Sequence, residues 1–427
     1  MTTLARKPQD APSFSAMTAG ERVVLILETI VILAAPVLAI LFRTNSVAFV
    51  AFLFSLMLLT MAKLPKLFRF AIAAVDLVVV MPMVGAASGT FAYVATMVGV
   101  YAILSMGLNI VVGYTGLLNL GYAAFYAVGA YTYAIFASRQ ATQFMGFGTY
   151  PLSGNWFWLF LVLGFVVAGG VGFLLGLPVL RLKGDYLAIV TLGFAEIIRL
   201  LFNNLNQPVN ITNGPMGITP IQAPKPPQFF GLVLNKPVFF YLIVLMLFVL
   251  TVIVVRNLNN SRIGRAWVAI REDELVARTM GVPVVRMKLL SFTIGAGLAG
   301  MMGVVFAALQ SYIDPTSFTF TESIIILCMV ILGGTGSQRG VIIGALAVVV
   351  LQLQILKDVS EFFTSLATSG ALVLPAGLNP AKYEKLVFGL ILVLMCIFRP
   401  KGLLPEKRVL SLKRRKAEAV QPDGDGR

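Results

Sequence analysis

Histidine is absent from the 427 residues, and cysteine occurs only twice. The missing imidazole removes the commonest general base and the commonest metal ligand. Cys328 and Cys396 both stand inside apolar runs, where they read as membrane-buried thiols, without a disulfide and without bearing on redox compartment. Charge is scarce too. Charged residues make up 12% of the chain, against roughly 25% in an average soluble domain, so a soluble protein of this composition lacks the polar groups to cover its surface. No Gly-Lys dipeptide occurs, which excludes a phosphate-cradling Walker A loop and ordinary ATP hydrolysis by this chain. No Gly-x-Ser-x-Gly elbow and no Cys/His cluster is present either. These absences disfavour an enzyme, soluble or membrane-bound.

What the chain has in abundance is apolar residues, 58% of the total, with a mean hydropathy of +0.90. They gather in runs at 23–42, 46–61, 70–84, 93–112, 120–137, 156–177, 186–202, 238–255, 289–309, 324–333, 341–356 and 386–398. Several runs are shorter than a full crossing requires, so the expected fold is an all-α polytopic membrane protein with about 10–12 transmembrane helices, some short or broken. The first run is long for a signal-peptide core and lacks a small-residue cleavage site, so it reads as a retained span.

The net charge of +15 is unevenly placed. Arg256, Arg262, Arg265, Arg271, Arg278, Arg286 and Lys288 crowd one loop, Lys63, Lys66 and Arg69 a second, and the stretch from Arg399 to Arg427 is densely basic. Basic loops stay cytoplasmic and face anionic lipid, so this charge points to membrane and not to nucleic acid. Counting runs alternately from a cytoplasmic N-terminus puts all three segments inside and the loops 138–155, 203–237 and 357–385 outside.

Within the loop 256–288, residues Arg271–Pro283 read as a short helix. Glu272, Asp273 and Glu274 occupy its first turn, where negative charge complements the helix dipole, and Glu274 and Arg278 are four apart in the favourable order. Gly281 and Pro283 end it. Leu275, Val276, Thr279 and Met280 share one side. Such a helix either docks into a groove of a soluble partner or lies on lipid headgroups.

Two glycine-rich turns interrupt apolar runs: Gly113-Tyr-Thr-Gly-Leu-Leu-Asn-Leu-Gly121 and Gly333-Gly-Thr-Gly-Ser-Gln-Arg-Gly340. Both hold Gly-x-Thr-Gly, a short echo of the kind internal repeats leave. Gly113, Thr115, Gly116, Asn119 and Gly121, with Gly333, Gly334, Thr335 and Gly336, are candidates for a translocation path or, equally, for close helix packing. Among acids within the apolar runs, Glu28 and Asp76 stand alone, while Glu196 and Arg199 are spaced to pair on one helix.

Six stretches together resemble the branched-chain amino acid ABC permeases of the LivM type. They are Gly107-Leu-Asn-Ile-Val-Val-Gly-Tyr-Thr-Gly-Leu-Leu-Asn-Leu-Gly-Tyr-Ala-Ala-Phe-Tyr-Ala-Val-Gly-Ala-Tyr131, Arg181-Leu-Lys-Gly-Asp-Tyr186, Thr191-Leu-Gly-Phe-Ala-Glu-Ile-Ile-Arg199, Thr212-Asn-Gly-Pro-Met-Gly-Ile218, Arg262–Gly281 and Phe398-Arg-Pro-Lys-Gly-Leu-Leu404. They occur in the family's order. The resemblance implies an ABC importer permease fold over 93–404, preceded by a cytoplasmic segment at 1–22 and a three-span extension at 23–92, and followed by a basic cytoplasmic tail at 405–427.

It further implies a multi-pass protein of the bacterial inner membrane with both termini cytoplasmic. Its partners would be a second, different permease subunit, two cytoplasmic ATPases and a periplasmic substrate-binding protein. The chain itself would hold no cofactor, ATP being used by the partner subunits, and would contain no high-affinity substrate site. The contact with the ATPase would be carried by the region Glu272, Asp273, Glu274, Leu275, Val276, Ala277, Thr279, Met280 and Gly281. There Leu275-Val-Ala277 stands where the general importer motif has Glu-Ala-Ala. Related permeases carry urea, short amides or other amino acids, and an ion-coupled amino acid transporter is the rival outside the family.

Overall fold

The computed structural model describes residues 19–61, 65–144, 150–179, 184–226, 228–229, 232–233, 235–368 and scattered positions between 386 and 404. The segments 1–18 and 405–427, together with Lys63, Arg181, Lys183 and Cys396, lie outside the described residues.

Apolar residues too numerous to bury dictate helices, because a backbone surrounded by hydrocarbon must satisfy its own hydrogen bonds. Apart from one two-residue hairpin, Gln228–Phe229 with Leu232–Val233, and an isolated bridge between Ile218 and Ile313, the described residues form helices and connections. In order these are α1 (Ala19–Leu41), α2 (Ser46–Met61), α3 (Lys66–Val75), α4 (Met81–Ala87), α5 (Gly89–Asn109), α6 (Tyr122–Ala134), α7 (Phe157–Val179), α8 (Asp185–Asn204), α9 (Lys236–Asn260), α10 (Arg262–Glu272), α11 (Glu274–Thr279), α12 (Val284–Gln310), α13 (Phe320–Gly333), α14 (Gln338–Val350) and α15 (Leu356–Thr368). Single π-helical stretches join α3 to α4 at Asp76–Val80, extend α5 through Ile110–Tyr114, and join α14 to α15 at Leu351–Ile355.

Seven of the resulting helical stretches are long and apolar enough to cross a membrane, and three shorter apolar helices accompany them among the described residues. Their positions agree with the apolar runs. One boundary differs by more than about five residues. The segment beyond residue 356 continues as helix to Thr368, where the sequence had placed the start of an external loop. Lys357, Asp358 and Glu361 ended the apolar run, yet Lys357 and Glu361 face each other one turn apart at 3.7 Å and let the helix proceed. The twelfth run, 386–398, is described only at isolated helical positions.

The core is organised around α12, which runs between α6 and α7. Its contact face is glycine. A Cβ on Gly303 would lie 2.5 Å from the Ala130 nitrogen and 3.0 Å from the Gly129 carbonyl carbon of α6. One turn earlier, Gly300 meets the backbone of Gly164 on α7. Small residues at this spacing let helix backbones approach until dispersion replaces the hydrophobic drive that hydrocarbon cannot supply. Large apolar side chains instead face outward, as with Leu159, Val162 and Leu174 on α7 and Met246, Leu250 and Ile253 on α9.

Two helices packed within the bundle, α6 and α13, are too short to span. α6 has 13 residues and α13 has 14, each about 20 Å at ~1.5 Å per residue, against a hydrocarbon core of about 30 Å. Before α6 the chain from Gly116 to Gly121 is not helical. Its backbone is satisfied by borrowed partners. Leu117 N donates to Val111 O, Leu120 N to Thr191 Oγ1 on α8, and Gly121 N to Asn119 Oδ1. The first turn of α6 then takes Ser323 Oγ of α13 on Ala123 N. Irregular backbone between apolar helices is tolerated because protein surrounds it.

Candidate functional site at the basic-loop end

The candidate site begins with the loop between α9 and α12. Ser261 caps α10 by accepting from Ile263 N and Gly264 N, and α10 runs to Glu272. The sequence suggested one helix with Glu272, Asp273 and Glu274 together in its first turn. The structure breaks the segment at Asp273, whose extended backbone ends α10 while its carboxylate accepts from Leu275 N and Val276 N to begin α11. A short acceptor at an N-cap competes successfully with helix continuation. Glu272 therefore belongs to α10, where it pairs with Arg271 at 3.1 Å. Glu274 meets Arg278 at 3.7 Å and also receives the nearly buried Lys288 ammonium of α12 at 2.8 Å. Gly281 closes the segment at φ +82°.

This framework sorts the α11 side chains. Ala277 is buried in a small cluster with Ile270 and Val284. Leu275, Val276 and Met280 are exposed at 72%, 55% and 79%, which is apolar surface on a polar loop. Thr279 is exposed beside them and its hydroxyl donates to Val276 O.

From the same loop, contacts lead into the bundle. Arg271 donates from Nη1 to Gly113 O at 2.7 Å, and its side chain packs over Gly116, which sits at φ +72°. Trp267 is fully buried, donates to Met287 O at 2.8 Å and stacks on Tyr114 with ring centroids 6.5 Å apart. The two glycine turns touch each other. Asn109 Oδ1 accepts from Gly336 N at 2.9 Å, and a Cβ on Gly113 would lie 2.5 Å from that same nitrogen. Gly116 and Gly336, the fourth positions of the two Gly-x-Thr-Gly stretches, both take positive φ, which side chains other than glycine rarely adopt.

The remaining members of the two turns are placed around this junction. Thr115 is buried and donates to Val111 O, while Asn119 and Gly121 belong to the non-helical stretch before α6. Gly333 O accepts from Leu404 N, and Gly334 packs against Gly402. Thr335 is exposed. No signal in the sequence joined Arg271 or Trp267 to the first glycine turn, since the contacts cross more than 150 residues.

The other candidates are elsewhere. Glu196 and Arg199 hydrogen-bond to each other on α8, both partly exposed. Asp76 is buried in the first π-helical stretch, and Glu28 is half-buried on α1. Among the described residues no group of three or more His, Cys, Asp or Glu is placed to hold a metal ion.

Comparison with known proteins gives one consistent family. The profile of the branched-chain amino acid transport system / permease component family matches residues 90–396. The chain is 42% identical over 351 residues to the high-affinity branched-chain amino acid transport system permease protein LivM of Salmonella typhimurium, spanning 77% of this chain and 73% of that protein. The LivM protein of Escherichia coli K12 gives the same figures. The LivH permease protein of Escherichia coli K12 is 24% identical over 331 residues, 74% of this chain and 94% of its own. No solved structure matches the chain.

Proposed function

This chain belongs to the branched-chain amino acid transport permease family, and from that membership we propose that it is one permease subunit of an ATP-driven importer of leucine, isoleucine and valine. The second permease subunit would be a different chain, as the similarity to both LivM and LivH proteins suggests. The observation that carries the reading is the apolar face of Leu275, Val276 and Met280 on an otherwise polar loop, rigidly tied to α12 by Glu274 and Lys288. An exposed patch on an anchored helix fits a groove on a soluble partner. Two ATPases would supply that partner, and a binding protein would deliver substrate at the opposite end.

In this mechanism, closure of the ATPases on ATP moves α10 and α11 together. Arg271 and Trp267 pass the motion to the Gly113–Gly116 turn, and the Asn109–Gly336 hydrogen bond passes it to the second turn. The pore then alternates between outward and inward access. The density of basic residues in this loop supports a cytoplasmic position for this end.

The test is uptake of labelled leucine by proteoliposomes holding the assembled transporter. Uptake should require both ATP on the ATPase side and binding protein on the other, and isoleucine and valine should compete. ATP-dependent uptake of urea or another amino acid instead would correct the substrate. Import by this chain alone on an ion gradient would overturn the reading.

Arg271→Ala isolates the link to the glycine turn. A hydrogen bond from a charged donor is worth about 1.5–3 kcal/mol, so leucine moved per ATP hydrolysed is expected to fall roughly tenfold with the ATPases still attached. An unchanged ratio would remove Arg271 from the coupling route.

A further inference from the structure

A carboxylate that the sequence placed outside the apolar runs packs beside the middle of a helix long enough to cross a membrane. Glu322 is in the first turn of the short helix α13, beside Tyr101, which stands midway along the Gly89–Tyr114 helical stretch. Tyr101 OH donates to Glu322 Oε1 at 2.6 Å. Among the described residues no Lys or Arg lines the cavity of about 250 Å³ that Glu322 borders, and none forms an ion pair with its carboxylate. An acid held in an apolar bundle without a counter-cation is costly, and it persists where a cation visits or a polar path passes.

The rest of the cavity says which cation. The buried Tyr126 and the partly buried Phe306 also line the cavity, and aromatic rings attract an ammonium group. Gln310 and Gln352 bring amide donors. Val349 and Leu353 provide an aliphatic wall. Val349 and Gln352 lie near the middle of the Gln338–Ser365 helical stretch, while Gln310 ends α12, so the cavity runs from mid-helix toward that end. A small inorganic ion has no use for the aliphatic wall, and a plain hydrocarbon has none for the acid. Ammonium, carboxylate and a branched aliphatic side chain are matched together. Transport folds place substrate sites near the midplane beside discontinuous helices, and α6 and α13 are both short helices that meet here through Ala123 and Ser323.

We infer that the cavity bordered by Glu322, Tyr101 and Gln352 is a transit site for an aliphatic α-amino acid, with Glu322 holding its ammonium group. The inference rests on the transport reading above and adds to it the place where this chain touches its cargo. A binding protein that holds the substrate tightly leaves the permease only a weak site to supply, and one charged contact in a half-open cavity is of that kind.

The experiment is saturation-transfer NMR on the purified assembled transporter, with leucine as the probe and 4-methylpentanoate, which lacks the ammonium group, as its control. Glu322→Gln keeps an acceptor for Tyr101 OH and removes the charge. Leu353→Trp fills the aliphatic end and leaves the Glu322–Tyr101 bond in place, so it stands in if the first variant fails to assemble. Elution as an intact complex is the check on both. Leucine saturation is expected to fall roughly tenfold in each variant, while the 4-methylpentanoate signal is not lowered by Glu322→Gln. Leucine saturation equal to wild type in either intact variant would overturn the site. Wild-type saturation lost in both variants of a complex whose import ignores ATP would keep the site and sink the ATP-driven reading.

Discussion

Gly303→Leu is expected to prevent assembly of the bundle, with loss of monodisperse protein in detergent gel filtration. Added side-chain bulk in a packed core ordinarily costs about 1–3 kcal/mol, because neighbouring side chains can shift. Here the neighbours are main-chain atoms of α6, the Tyr126 carbonyl and the Ala130 nitrogen, which move only if two helices separate. Separation would also pull Gly300 from Gly129 and Gly164, so the loss spreads along the whole α6–α12–α7 contact. Gly193→Ala on α8 is the matched control. Nothing lies within 4 Å of the Cβ it would add, and alanine favours helix over glycine by about 1 kcal/mol. A Gly303→Leu protein that elutes and melts like wild type would contradict the close approach described for α12.

Val276→Asp combined with Met280→Asp is expected to release the ATPases while the permease still inserts and keeps its melting temperature. Both side chains are exposed, so the permease itself should change by no more than about 0.5 kcal/mol. Buried against a partner, each new carboxylate would lose its water without gaining a counter-charge. A central contact residue carries about 2 kcal/mol or more, so the pair should weaken ATPase attachment at least about a hundredfold. Pull-down of the ATPases on the tagged permease reads this directly. Full attachment of the double variant would mean that the α11 face is not the docking face.

How far the sequence foretold this structure depends on what hydropathy can register. Each described apolar run became a helix near its expected place, since length and apolar content alone decide that a segment enters hydrocarbon. The end of α11 was legible for a local reason. Gly281 takes the left-handed conformation and Pro283 follows, whatever the rest of the fold does. Its beginning is not legible, because Asp273 is both a plausible first-turn acid and a strong cap, and only the backbone chooses. Glu322 carries no signal of its own in the sequence, since it precedes the run 324–333 and a hydropathy window does not register what packs against it. Tertiary packing sets the start of α13 beside Tyr101 and Ala123. The junction of Arg271, Gly113, Asn109 and Gly336 was equally hidden, being made of contacts between segments far apart in the chain.

The non-helical stretch before α6 sets an order for biogenesis. Leu120 N is satisfied by Thr191, 71 residues later in the chain, and Ala123 N by Ser323, 200 residues later. When α6 leaves the ribosome neither hydroxyl has been made, and bare amides in lipid cost several kcal/mol each. The nascent α6 must therefore wait in the shelter of the insertion machinery, or shallow in the membrane, until α8 and then α13 arrive. A ribosome stalled before residue 323 should hold α6 open to water-soluble thiol reagents at an engineered cysteine, and completion of the chain should close it.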